Sequence, residues 1–302
     1  MAADLPNPVV PTALTAKYQR LVSSIAQSKR ALVCFSGGVD SALLLKAAVD
    51  ALGANAIALT AISPSLPRRE LAEAETLARR LGARHLLRDT LEVQNSEYAA
   101  NPTNRCYFCK GELMRVAKQV AAKERVEAIL LGTNADELTG HRPGLKAANE
   151  AQARHPLAEA ELSKAEIRLL SHHFGLPTWD KPQMACLASR FPYGTQITPE
   201  RLDRIERFEA ALADIGFRGL RVRFHDAIAR IELDPAQMGR ALEQRTAIVD
   251  IGRSLGFSYT TLDLVGYRTG ALNETVVNET APDAQQVRIA LAQPKSKASV
   301  RS

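Results

Sequence analysis

The chain has 302 residues, of which 46% are hydrophobic and 24% charged, with a formal net charge of +6. That balance excludes a disordered or fibrous chain and leaves length enough for two packed cores. No run is apolar and long enough to span a bilayer, and Met1 to Pro11 lacks the basic and apolar regions of a secretory signal. The expectation is a soluble cytoplasmic protein whose excess positive charge suits an anionic partner.

In chain order, apolar residues at helical spacing predict a helix over 14–29, followed by a short buried strand over 31–35. A glycine turn, Ser36 to Ser41, leads into a helix to Leu52 that Gly53 stops. A strand over 56–61, a helix opened by Pro67 and a strand over 84–88 continue the alternation. A helix over 106–123 and a strand over 128–131, closed by Gly132-Thr133-Asn134, complete it. Ser163-Lys-Ala-Glu166 has the form of a capping box and starts a helix ending before Gly175.

The fold class is therefore α/β, a parallel sheet with helices on both faces. From Thr198-Pro199-Glu200 the pattern changes to a helix, strands over 220–224 and 227–233, a helix over 235–251 and a strand over 258–264. This reads as a small α+β domain. The predicted organisation is an arm over 1–13, domains over 14–194 and 195–273, and a disordered tail over 274–302.

Ser36, Gly37, Gly38, Val39, Asp40 and Ser41 lie where a strand ends and a helix begins. Glycine lets backbone N–H groups approach phosphate oxygens, and the helix N-terminus favours negative charge. Ser36 and Ser41 can donate hydroxyl hydrogen bonds, and Asp40 can reach a phosphate-bound magnesium. No Gly-Lys-Ser/Thr follows, so this is not a Walker loop.

Four cysteines are present, Cys34, Cys106, Cys109 and Cys186. Cys34 sits inside a strand run and reads as core. Cys106 and Cys109 form C-x-x-C, which alone fits a redox pair, half a zinc site or unrelated thiols. Three thiolates can hold a four-iron cluster with one iron open to an outside ligand. Arg105, Lys110 and Arg190 are expected to favour thiolate.

The loop resembles the PP-loop of the ATP pyrophosphatases, which adenylate a substrate oxygen and release pyrophosphate. Gly132 to Glu137, with Asp136, resembles their second nucleotide-facing segment. Together with Arg105-Cys106-Tyr-Phe-Cys109-Lys110, Pro182 to Gly194 and Leu264 to Gly270, it resembles the LarE family of sulfur transferases over roughly 14–273.

That resemblance implies ATP-dependent activation of a carboxylate on pyridinium biscarboxylic acid mononucleotide and its conversion to a thiocarboxylate. It implies ATP and Mg2+ as cofactors, with Asp40 on the magnesium. It also implies a homo-oligomer and a sulfur donor that the sequence does not identify. Some members use one cysteine, at the position of Cys186, as a sacrificial sulfur source. The added Cys106 and Cys109 make this chain similar to the type carrying a [4Fe-4S] cluster on three cysteines.

Arg221 and Arg223 share one face of a predicted strand and, with Arg190 and, by resemblance, Arg268, are expected to bind the substrate's phosphate and carboxylates. An exposed charged edge strand explains Arg221 and Arg223 equally well. Alternatives are a tRNA-thiolating PP-loop enzyme, a nucleotide-binding or metal-storage protein without activity, and an ammonia-using ligase, which leaves the three cysteines without a role. No RNA-binding motif is evident, so no nucleic acid and no membrane partner is expected.

Overall fold

A computed structural model describes residues 8–138, 143–183 and 185–268. The chain divides into two compact units, one up to Arg207 and the other from Phe208. The first unit begins with α1 (Thr12–Ile25), β1 (Ala31–Cys34), α2 (Val39–Leu52), β2 (Ala56–Ile62), α3 (Arg68–Arg80) and β3 (Arg84–Asp89). It continues with α4 (Ser96–Ala99), α5 (Arg105–Glu124), β4 (Ala128–Leu131), α6 (Pro143–Glu150), α7 (Pro156–Glu159) and α8 (Lys164–His173).

The four strands form one parallel sheet in the order β3-β2-β1-β4. Alternate residues of β1 feed two cores, as pleating requires. Ala31 and Val33 pack with α1, α2 and α8, while Leu32 and Cys34 pack with α5 and β4. The α/β fold with helices on both faces is thus observed. Because β2 and β4 flank β1, the connections leave β1 in opposite directions, and a crevice opens at the strands' carboxyl ends.

α8 starts at the predicted capping box: Ser163 accepts from the Glu166 N–H at 3.3 Å, and Glu166 accepts from the Ser163 N–H at 2.9 Å. Lys17 of α1 reaches the same carboxylate at 2.8 Å. Burial alone raises the Glu166 pKa, but Lys17 and the Ser163 donors outweigh it and hold it below the usual range. A depressed carboxyl pKa stabilises above the unfolded value and ceases to do so as pH falls through the folded one. Glu166→Ala is therefore expected to cost about 1–2 kcal/mol near pH 7 in urea denaturation, with the difference shrinking towards pH 3.

α9 (Pro199–Asp214) crosses the division between the units. The second unit adds β5 (Arg221–His225), β6 (Ile228–Glu232), α10 (Met238–Glu243), α11 (Arg245–Ser254) and β7 (Tyr259–Leu262). β5 pairs antiparallel with β6, and β6 parallel with β7. Phe208, Phe224 and Phe257 meet in its core. The single helix expected over 235–251 is broken at Gln244, whose ψ of 14° leaves the helical range. Pro67 sits just before α3 with an extended ψ of 134°, so the helix starts at Arg68. The tail from residue 274 lies outside the described residues, as do Thr269 and Gly270.

Candidate active site

The phosphate-type loop lies in the crevice. Gly37 takes a left-handed φ of +73°, and a Cβ there would stand 2.9 Å from the Ala74 Cβ of α3. Ser41 Oγ donates to the Gly38 carbonyl at 3.1 Å and lies 3.2 Å from Ser36 Oγ, so the loop is folded upon its own hydroxyls. Gly132, at the end of β4, runs against the loop from the other side: its Cβ would stand 3.0 Å from the Ser41 nitrogen. Gly37→Ala combines a left-handed backbone with a clash against another Cβ. It is expected to weaken ATP binding at least about tenfold and to cost about 1–2 kcal/mol of stability, read by calorimetric titration and thermal melting.

A cavity of about 440 Å3 opens over this loop. Ser36, Gly38, Val39, Asp40, Ser41 and Gly132 line it, with an apolar wall that includes Phe35, Leu59, Leu66 and Leu131. Such a mixed wall suits a nucleotide, with the polar floor facing phosphates and the apolar side facing a base. Gly37 contributes backbone shape behind the lining. Asp136, expected to face nucleotide, lies outside the lining, because its carboxylate accepts the Lys164 N–H at 2.8 Å at the start of α8. Glu137, its neighbour, lines the cavity instead.

Two lysines stand in the cavity, Lys110, expected only to act on the thiols, and Lys164, to which the sequence assigned no role. Lys164 pairs with Asp40 at 2.5 Å, and Asn134 Nδ2 donates to the other Asp40 oxygen at 3.2 Å. The capping box that fixes the start of α8 therefore also aims Lys164 at the loop. Lys110 enters from α5, one residue after Cys109. A third, Lys181, ties α3 to the loop by pairing with Glu70 at 2.6 Å and Glu73 at 2.8 Å and donating to the Gly37 carbonyl at 3.4 Å.

The three cysteines are brought together by buried polar groups. Asn101 is fully buried at a left-handed φ of 54°, and its Nδ2 donates to the Pro192 carbonyl at 2.7 Å. Its own carbonyl accepts from Gly194, and that of Ala99 from Ile197. Arg105, also buried, donates to Asn101 Oδ1 and, at 3.1 Å, to the Ala188 carbonyl. The Leu187 N–H reaches the Ser65 carbonyl at 2.9 Å. The segment holding Cys186 is thus strapped across the start of α5, which carries Cys106 and Cys109.

Cys106 and Cys186 are exposed and Cys109 is half-buried. Burial, with Cys186 and Glu92 close by, pushes the Cys109 thiol up to about 12 against the opposing pull of Lys110. The cationic surroundings expected to favour thiolate are therefore outweighed at Cys109 by desolvation. Arg105 and Arg190 both donate to carbonyl oxygens of the chain. Arg190, expected to bind substrate, is 3% exposed and donates to the Ala185 and Cys186 carbonyls at 2.7 and 3.0 Å. Burial also raises Cys34, to about 11, in keeping with its core position, although it lines the cavity as well.

Among the described residues, no three His, Cys, Asp or Glu side chains are grouped closely enough to hold a single metal ion. The donors that converge are thiols, whose chemistry suits iron–sulfur better than magnesium. Asp40 and Glu137 are the carboxylates on the cavity wall.

In the second unit, buried Arg223 forms a double hydrogen bond with Glu232 at 2.9 and 2.7 Å. Arg221 lies 5.0 Å over the Tyr267 ring. Arg268 is exposed. Glu232 also accepts from Arg230 at 3.1 Å, so one buried acid serves two guanidinium groups.

No protein-family model matches the chain. It is 44% identical over 265 residues to an uncharacterised protein of Synechocystis, covering 87% of this chain and 99% of that one. It is 38% identical over 265 residues to the pyridinium-3,5-bisthiocarboxylic acid mononucleotide synthase of Lactiplantibacillus plantarum, covering 87% and 96%. A more distant match, 32% over 160 residues, covers 50% of this chain and 56% of the NH3-dependent NAD+ synthetase of Chlorobaculum tepidum. With the PP-loop in its crevice and 38% identity to that synthase over nearly the whole of its length, the chain belongs to the LarE family of PP-loop enzymes.

Proposed function

We propose that this enzyme uses ATP to adenylate a carboxylate of pyridinium-3,5-biscarboxylic acid mononucleotide and then replaces AMP with sulfur, leaving a thiocarboxylate. The observation that carries the reading is that one unit holds both a nucleotide-sized cavity and three thiols, with Lys110 lining the cavity beside Cys109. A carboxylate resists sulfur attack until its oxygen is made a leaving group, so the two features belong to one reaction.

On this reading the N–H groups and hydroxyls of Ser36 to Ser41 hold the ATP phosphates. Lys164 and Lys110 neutralise charge on the departing pyrophosphate and AMP. Asp40 and Glu137 are the oxygens that hold magnesium, which supplies charge stabilisation on the phosphates when bound. Recognition of the substrate's phosphate and free carboxylate is assigned to Arg221 and Arg268, while Arg223, expected to share it, is held by buried Glu232. Arg190 instead positions Cys186. The enzyme is expected to act as a cytoplasmic homo-oligomer; no described helix is long and apolar enough to cross a membrane.

Cys106, Cys109 and Cys186 are the residues that would hold a [4Fe-4S] cluster, which supplies transferable sulfur at an iron without a protein ligand. Cys106 and Cys186 both lie close enough to Cys109 to act on its thiol, which supports this reading. Exposure of Cys186 also keeps open the second reading, in which its own sulfur is given up. Purification without oxygen, with visible absorption and iron and sulfide assays, separates them. Wild type is expected to be brown and Cys106→Ala bleached. A colourless, iron-free wild type that loses the mass of one hydrogen sulfide molecule on turnover would establish the sacrificial reading. Thiolation of tRNA rather than the mononucleotide would displace both.

A further inference from the structure

We propose that Lys181 is a positioning residue for ATP: by holding the Gly37 carbonyl it locks the Gly37–Gly38 peptide with its N–H towards the nucleotide phosphates. This deepens the reading that ATP binds at the phosphate loop and rests on it. The Lys181 side chain is only 14% exposed. Its ammonium stands 2.6 Å from Glu70 and 2.8 Å from Glu73, both on α3, and donates to the Gly37 carbonyl at 3.4 Å. A lysine ammonium has three N–H donors, enough to serve both carboxylates and the carbonyl at once.

The backbone that carries the ammonium is fixed as well. Arg168 of α8 donates to the Trp179 and Lys181 carbonyls at 2.6 and 2.8 Å, and the Lys181 N–H reaches the Thr178 carbonyl at 3.1 Å. Pro182 and Gln183, which follow, line the nucleotide cavity. An ion pair that served stability alone would need α3 and this segment, not a carbonyl of the phosphate loop.

The peptide that Lys181 grips is the one most able to turn over. A trans peptide carries its C=O and N–H on opposite sides, so turning one inverts the other. With no Cβ on either side, Gly37 and Gly38 offer little steric resistance to that rotation. Gripped, the carbonyl faces Lys181, while the Gly38 N–H reaches Ser36 Oγ at 3.4 Å on the cavity wall. Turned over, the peptide would present an oxygen to the phosphates where a donor is needed.

Lys181→Met alone would leave Glu70 and Glu73 without this cation, so the test is made in the full chain carrying Glu70→Gln and Glu73→Gln. That double variant keeps Lys181 on Gly37. In calorimetric titration at about 0.3 M salt, which screens charges beyond contact, it is expected to bind MgATP within about threefold of wild type. Adding Lys181→Met is expected to weaken MgATP at least about tenfold, the loss produced by a peptide turned over about nine-tenths of the time. Adenosine has no phosphate to meet the loop and should keep its affinity within about twofold, read by competition. Retention of MgATP affinity in the triple variant would overturn the proposal. So would equal weakening of MgATP and adenosine, which marks a collapsed cavity. So would tightening of MgATP in the double variant as large as the loss in the triple, which marks charge alone. Failure of the underlying reading appears separately, as a wild type that binds no ATP.

Discussion

Cys186→Ser is expected to lower thiocarboxylate formation at least about 1,000-fold while leaving ATP–pyrophosphate exchange within about threefold of wild type. The exchange reports adenylation, and its residues line a cavity to which Cys186 does not belong. Transfer needs a soft nucleophile or iron ligand, and serine is neither at neutral pH. A 1,000-fold loss corresponds to about 4 kcal/mol of barrier, more than a displaced loop alone explains. Loss of both half-reactions would place Cys186 in nucleotide binding instead. Full transfer activity in the variant would remove Cys186 from the chemistry altogether. The substitution leaves the carbonyls of Ala185 and Cys186 on Arg190, so the strap is expected to remain folded.

The phosphate loop was legible in the sequence because its meaning is local: a strand run, two glycines, two serines and an acid within a few consecutive positions. The strands and long helices were legible for the same reason, since their periods repeat over many residues. Helices α4 and α7 span four residues each, too few for a period. The capping box at Ser163 was readable, yet not that it aims Lys164 at Asp40, because that contact joins residues 124 positions apart.

The arginines were least legible: composition and motif do not show that Arg105 and Arg190 are buried and donate to carbonyls of the chain. The convergence of Cys186 on Cys106 and Cys109 followed from resemblance alone at the sequence level. In the structure it rests on Asn101, Ser65 and Arg105, polar residues whose role depends on burial that no local pattern records. Asn101 in Asn-Pro-Thr reads as an ordinary turn residue.

Asn101 therefore provides the sharpest test of how the site is assembled. Asn101→Ala places a Cβ-bearing residue without asparagine's tolerance at φ 54° and removes the donor to Pro192 and the acceptor for Arg105. The backbone cost is about 1–2 kcal/mol, and leaving a buried guanidinium short of an acceptor adds roughly 1–3. A total loss of about 3 kcal/mol is expected in thermal or urea denaturation, large for one substitution. Asn101→Gly keeps the left-handed backbone free of strain while losing the same side-chain bonds, so it should recover the backbone part alone. Both variants are expected to lose most sulfur transfer and retain pyrophosphate exchange, since the phosphate loop draws nothing from Asn101. That is the pattern expected of Cys186→Ser, reached here with every sulfur atom still present. If Asn101→Gly transferred sulfur at the wild-type rate, the strap would be dispensable. Cys186 would then have to find α5 by the packing of Leu187, Ala188 and Phe191, the buried apolar residues that follow it in the chain.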